Sequence, residues 1–135
     1  MSQFEKFTPA VYKRRDVKAK MELQHIDLRK TDDYGYTALM ICAYANNDNI
    51  LNYICENNEV IGIINKIGPD GTALDIAIKN KHENIAMTLV RYGSKVSDEQ
   101  IDKMHELGWE KIFDMKIGHF SLDIDENFLN HTMGM

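Results

Sequence analysis

The sequence predicts an all-α solenoid of about four stacked helix hairpins, with two regular units between two irregular ones. Residues 35–43, GYTALMICA, are echoed by residues 71–78, GTALDIAI, with the two threonines 35 positions apart. Each copy is followed by a polar turn and then by an apolar stripe, over 46–55 and 81–90. Because the connections are so short, the two helices of each unit must run antiparallel.

Composition is consistent with one compact domain. The chain has 135 residues, of which 44% are hydrophobic and 27% charged, which is enough for one core and outside the range of disordered chains. Apolar runs such as 60–64 are far shorter than the roughly 20 residues that span a membrane. Residues 1–6 lack the order of a secretory signal, so we expect a cytoplasmic protein with no membrane partner.

The predicted helix ends carry suitable residues. Thr72 and Asp75 have the spacing of a capping box, in which each side chain accepts a backbone N–H from the other residue. Gly35 and Gly71 precede the first helices in turns that call for a positive backbone angle, and Gly93 follows the second apolar stripe. These signals place helices after each threonine and again from about Asp48 and Glu83.

The two copies resemble the ankyrin repeat. Its G-x-T-P-L-H-x-A-A signature is matched at Gly35, Thr37, Leu39, Cys42 and Ala43. Ala38 and Met40 depart from it, and the second copy lacks one residue before its threonine. That second copy matches at Thr72, Leu74, Ala77, Lys81-His82 and Tyr92-Gly93-Ser94. The resemblance covers about residues 9–117 and implies an ankyrin solenoid whose helix pairs are joined by β-hairpin-like fingers.

The chain divides into five predicted parts. These are N-terminal capping helices with a basic face (1–32), two ankyrin repeats (33–67 and 68–98), a degenerate C-terminal capping repeat (99–118) and a C-terminal tail (119–135). Residues 1–30 carry eight Lys and Arg against four Asp and Glu. We interpret this basic segment as a solvated helix face rather than a nucleic-acid site, since no aromatic platform accompanies it.

Signatures of common catalytic and cofactor sites are missing from the sequence, namely G-x-G-x-x-G, G-K-[ST], H-E-x-x-H and G-x-S-x-G. We therefore predict no enzyme activity, no catalytic residue, no metal and no cofactor. The resemblance gives His82 a structural role, tying neighbouring turns. Cys42 and Cys55 are interpreted as reduced core residues, with a disulfide or metal pair as the alternative.

The resemblance also implies function, because ankyrin proteins bind protein partners through finger tips and the exposed side of each first helix. The partner-binding positions carried over are Tyr34, Tyr36, Met40, Ile41, Tyr44, Lys66, Ile67, Pro69, Asp75 and Lys79, with Asp70 and Ile76 beside them. Abundant Ile, Lys and Asn with few Arg is typical of an AT-rich genome. A viral or bacterial effector that inhibits or recruits a factor in a host cytoplasm would suit a unit of this size.

Two alternatives stay open. Phe120, Leu122 and Ile124 alternate with polar residues, so the tail suits an extended segment with one buried side and could support a homodimer. The other alternative is a small-ligand or metal site formed by His105, His119 and the tail carboxylates on a repeat scaffold.

Overall fold

The computed structural model describes residues 3–112. Seven helices lie in that range: α1 Phe7–Tyr12, α2 Asp16–Leu23, α3 Ala38–Ala45, α4 Asp48–Asn57, α5 Ala73–Lys79, α6 Glu83–Arg91 and α7 Asp98–Glu106. A further helical stretch starts at residues 110–112. The helices after both threonines, and those from Asp48 and Glu83, begin where the sequence predicted. The C-terminal tail lies outside the described residues.

The helices pair into hairpins that stack in two layers. α1 packs on α2, α3 on α4 and α5 on α6, while α1, α3, α5 and α7 form one layer and α2, α4 and α6 the other. Within residues 3–112 the one isolated β-bridge joins Gly68 and Gly71, at the turn before α5. The all-α solenoid is therefore confirmed.

Four positions with positive φ mark the same point in each unit. They are Arg14, Asn46, Lys81 and Gly108, with φ of 60°, 55°, 60° and 76°. Each lies in the turn between the first and second helix of a unit, where most side chains are strained and glycine is favoured. Their spacing of 32, 35 and 27 residues shows that the ends are less regular than the two central units.

Side-chain caps define the starts of α3, α5 and α7, three of the four helices in the layer that begins with α1. Thr37, Thr72 and Ser97 each accept the backbone N–H three residues on, at 3.1–3.2 Å. The predicted capping box at Thr72 is confirmed, since Asp75 Oδ2 accepts the Thr72 N–H at 2.8 Å. At Thr37 the corresponding acceptor is Met40 Sδ at 3.5 Å, a weaker partner than a carboxylate.

The core runs continuously between the layers. Leu39, Leu51, Leu74, Ile85 and Leu89 were predicted to be core residues, and each is at most 1% exposed. Cys42 and Cys55 are buried free thiols, as predicted, rather than a disulfide. Burial raises the pKa of both thiols, that of Cys55 to about 12, so neither holds much reactive thiolate near neutral pH.

Polar side chains tie successive units together at their turns. His82 Nδ1 lies 2.8 Å from the carbonyl oxygen of Ala43, which confirms the structural role predicted for this histidine. One unit earlier, Asn47 Nδ2 donates to the carbonyl oxygen of Val11 at 2.9 Å. In the second layer Thr88 Oγ1 donates to Asp48 Oδ1 at 2.8 Å. Packing of the units against each other removes water from these polar atoms, and each bond gives such an atom a partner within the protein.

Candidate protein-binding face

The first finger, residues 32–36, is a tight turn held by one carboxylate. Asp32 Oδ1 accepts the backbone N–H groups of Tyr34 and Tyr36, both at 2.9 Å. Gly35 has φ +93°, the positive angle predicted for it. The turn projects Tyr34 outward with 79% of its surface exposed.

The second finger, residues 66–71, closes through Gly68, whose N–H donates to the Gly71 carbonyl at 2.8 Å. Pro69 and Asp70 form its tip, and a Cβ at Gly35 would lie 3.0 Å from Pro69 Cγ, so the two fingers touch. Ile67 is 77% exposed. The exposed Lys66 donates from Nζ to the Arg29 carbonyl at 2.9 Å. Together the fingers present an aromatic and an aliphatic side chain.

Asp70 links the second finger to two tyrosines of the preceding unit. Its Oδ2 accepts the hydroxyl of Tyr36 at 2.7 Å and also the hydroxyl of Tyr44. The tyrosine rings meet edge to face, with centroids 5.5 Å apart and an interplanar angle of 87°. This tyrosine–carboxylate cluster, Tyr36, Tyr44 and Asp70, fixes the finger against α3 and occupies the hydroxyls of two predicted contact residues.

The cluster perturbs all three groups. Hydrogen bonds from Tyr44 and Tyr36 hold the pKa of Asp70 below its usual range. The bond to Asp70, followed by burial, raises the pKa of both tyrosines above the usual value. A depressed carboxylate pKa adds stability above its unfolded pKa, and a raised tyrosine pKa adds stability below its own. The cluster is therefore most stabilising between about pH 5 and pH 9.

A Tyr36→Phe/Tyr44→Phe variant is expected to be less stable than the parent near neutral pH, by a difference that shrinks as pH falls below about 4. Protonating Asp70 removes the charge that both hydroxyls stabilise. Urea unfolding followed by circular dichroism from pH 3 to pH 8 checks this. Tyr53→Phe is the control, because its ring packs beneath Lys20 in the other layer and it should give a constant difference. A constant difference for the double variant would contradict the prediction.

A groove of about 460 Å³ continues from Asp70 along the first-helix layer, between α5 and α7. Its lining residues are Asp70, Asp75, Ile78, Lys79, Ser97, Glu99, Gln100, Lys103, Glu106 and Leu107. Gln100 Nε2 donates to Asp75 Oδ1 at 2.6 Å, so the two walls are joined by a hydrogen bond. Four carboxylates and two lysines give the groove mixed charge with an acidic excess.

Sequence reasoning placed Asp75 and Lys79 on this face, and the structure brings both into the groove with Asp70. It assigned no contact role to the fourth unit, whose Gln100, Lys103 and Leu107 form the opposite wall. The capping-box spacing of Ser97 and Gln100 was the available signal, since it fixes where α7 begins.

The predicted exposure of Met40, Ile41 and Ile76 was wrong. They are 1%, 4% and 0% exposed. α3 contacts α1, α4 and α5, which leaves its apolar side chains little open surface. Met40 is also covered by the second finger, since a Cβ on Gly68 would lie 2.8 Å from its Sδ. These three side chains support the face from below.

The family comparison agrees with this geometry. A family model described as ankyrin repeats, in three copies, matches residues 10–100, about two thirds of the chain. The chain belongs to the ankyrin-repeat family. The ankyrin match includes the α1–α2 hairpin from Ala10 onward and stops at Gln100, early in α7. No curated protein matches the chain.

Ankyrin repeats are generally protein-interaction modules, and this family is typically non-catalytic. Within residues 3–112 no three His, Cys, Asp or Glu side chains gather in a way that could hold a metal. The alternative small-ligand or metal site was predicted from His105, His119 and the tail carboxylates. His105 Nδ1 lies 3.5 Å from Glu110 Oε2, and the other members of that site lie outside the described residues. Over the described residues no helix has the length and apolar character needed to cross a membrane.

Proposed function

We propose that this ankyrin protein is a non-catalytic module that binds another protein across its finger tips and the groove between α5 and α7, as an inhibitor or effector of a host factor. One observation carries the proposal. Tyr34 and Ile67 are nearly four-fifths exposed on two fingers that touch, and Asp70 of the second finger also lines the groove. In protein–protein interfaces, exposed apolar side chains serve as anchors and polar residues form the surrounding rim, and the finger tips and the groove have this arrangement.

The cluster of Tyr36, Tyr44 and Asp70 supports this role by holding the second finger in place. A finger fixed before binding loses less conformational entropy when the partner docks. Tyr36 and Tyr44 are half-buried, so their exposed ring edges can still contact a partner although their hydroxyls are bonded. Met40 and Ile41 have no part in the proposed contact.

The test starts from cross-linking capture in candidate host cells and then measures affinity with the purified partner. Tyr34→Ala/Ile67→Ser should remove the finger-tip anchors, and Lys79→Glu/Lys103→Glu should change the charge of the groove. Each pair is expected to weaken binding at least about tenfold, which corresponds to roughly 1.4 kcal/mol. Binding is measured by titration calorimetry, and thermal unfolding shows that each variant stays folded.

Ile61→Ser is the matched control, because Ile61 is 72% exposed and is not among the residues lining the groove. It removes a similar apolar surface and should leave affinity unchanged. Unchanged affinity in both test pairs, with folding intact, would overturn the assignment of this face. If a partner is captured only from the cell that makes the protein and never from a host cell, the effector role is overturned. The assignment of the binding face is not affected by that result.

A further inference from the structure

The N-terminal end of the stack exposes apolar side chains on the outer surface of α2. Val17 and Met21 lie one helical turn apart and are 75% and 59% exposed. Terminal units of repeat proteins ordinarily turn a polar surface outward. The outer surface of α2 therefore lacks the polar character expected of a capping unit.

The repeat geometry shows which way these side chains point. With the 32-residue offset between the Arg14 and Asn46 turns, Val17 and Met21 correspond to Asn49 and Tyr53 of α4. Both α4 residues contact the preceding unit. Asn49 Nδ2 donates to Asp16 Oδ2 at 3.2 Å, and the Tyr53 ring lies 4.7 Å from Lys20 Nζ. Val17 and Met21 thus face the place that a unit before the first would fill.

Charged side chains surround this apolar pair, and cations outnumber carboxylates over the two depressions at this end. Two shallow depressions that share Arg15 and Lys18 run over the outer surfaces of α1 and α2. Their exposed cations are Lys6, Lys13, Arg15 and Lys18. The carboxylates of Glu5, Asp16 and Glu22 also line them, and Asp16 already accepts hydrogen bonds from Asn47 and Asn49. Over residues 3–112 none of the four cations forms a salt bridge. We call this surface, with Val17, Met21 and Pro9, the basic end face.

We infer that the basic end face binds residues 120–126 of a second copy of the chain, so that copies associate head to tail. The sequence of that segment, FSLDIDE, interleaves three apolar residues with Asp123 and Asp125 and ends on Glu126. Its apolar residues suit Val17 and Met21, and its three carboxylates suit the cations of the basic end face, of which Arg15 and Lys18 line the same depression as Val17 and Met21.

Chain length disfavours the same copy as the source of the whole segment. Phe120 lies eight residues beyond Ile112, so it can move at most about 29 Å from it. The end face lies on the first unit and Ile112 in the fourth. The separation between them is therefore three helix spacings of roughly 8–10 Å each, and the radius of α2 adds about 5 Å. The chain must also pass around the stack rather than through it. The separation thus equals or exceeds the reach of Phe120, whereas the segment of a second copy has no such limit.

The test uses two full-length variants and sedimentation velocity over a range of concentrations. Val17→Glu/Met21→Glu disables the end face, and Leu122→Asp/Ile124→Asp disables the segment. The parent chain should associate as concentration rises, and each variant alone should stay monomeric. Their equimolar mixture should form a one-to-one dimer, because one intact end face meets one intact segment. Ile61→Glu is the control for an added surface charge and should associate like the parent.

Salt gives a second reading of the same contact. Raising NaCl from about 0.05 M to about 0.5 M should weaken association of the parent at least about tenfold, since the paired charges are exposed. A parent chain that is monomeric at every concentration would overturn the inference. A segment variant that still dimerises would show that two end faces contact each other. A mixture of the two variants that stays monomeric would show that no head-to-tail contact forms. Either result would also overturn the inference.

Discussion

An Asn47→Ala variant is expected to lose about 2–4 kcal/mol of unfolding free energy. Asn47 is fully buried. Its Oδ1 accepts the Ile50 N–H at 3.1 Å and caps α4, while its Nδ2 donates to the Val11 carbonyl at 2.9 Å and to Asp16 Oδ1 at 3.3 Å. Alanine would leave the buried Ile50 N–H without its cap, and the Val11 carbonyl with only the 3.3 Å bond from the Arg14 N–H. Urea denaturation at neutral pH measures the loss.

Asn47→His separates the two contributions. The corresponding residue of the next unit is His82, whose Nδ1 lies 2.8 Å from the Ala43 carbonyl but which makes no cap bond. Histidine at position 47 should therefore restore the contact with the preceding unit and not the cap, and recover about half of the lost stability. A loss below about 1 kcal/mol for Asn47→Ala would show that the bonds between turns contribute little.

Local features of the fold were predictable because they depend on residues close in sequence. The capping pair Thr72 and Asp75 is three residues apart, and the turn glycines Gly35 and Gly71 lie within three residues of the helices they precede. A repeat of 35 residues then fixed the order of the helix hairpins. The role of His82 followed from the resemblance, because its partner lies at a fixed place in the neighbouring unit.

The binding face was less predictable because its contacts join residues far apart in sequence. Asp70 lies 34 positions from Tyr36 and 26 from Tyr44, and neither spacing belongs to the repeat. The burial of Met40 depends on where the second finger closes, which helix periodicity does not specify. Asn47 was detectable in principle, since it stands 35 residues before His82 in an equivalent turn.

A Gly71→Ala variant is expected to lose about 2–4 kcal/mol of unfolding free energy, from backbone strain and from the loss of a helix cap. Gly71 has φ +94°, in the region that side chains disfavour. A Cβ there would also lie 2.9 Å from Asp75 Cβ and closer still to its carboxylate. Asp75 would have to leave the Thr72 N–H, so α5 would lose half of its capping box. Urea denaturation measures the effect.

Gly62→Ala is the matched control, because a Cβ there meets nothing within 4 Å and its φ is not positive. It should change stability by no more than about 0.5 kcal/mol. Displacing Asp75 also breaks its 2.6 Å hydrogen bond with Gln100, so Gly71→Ala should disturb the groove as well as the helix. If Gly71→Ala were as stable as Gly62→Ala, the turn must relax without moving Asp75, and the carboxylate would not be the link between finger, helix and groove.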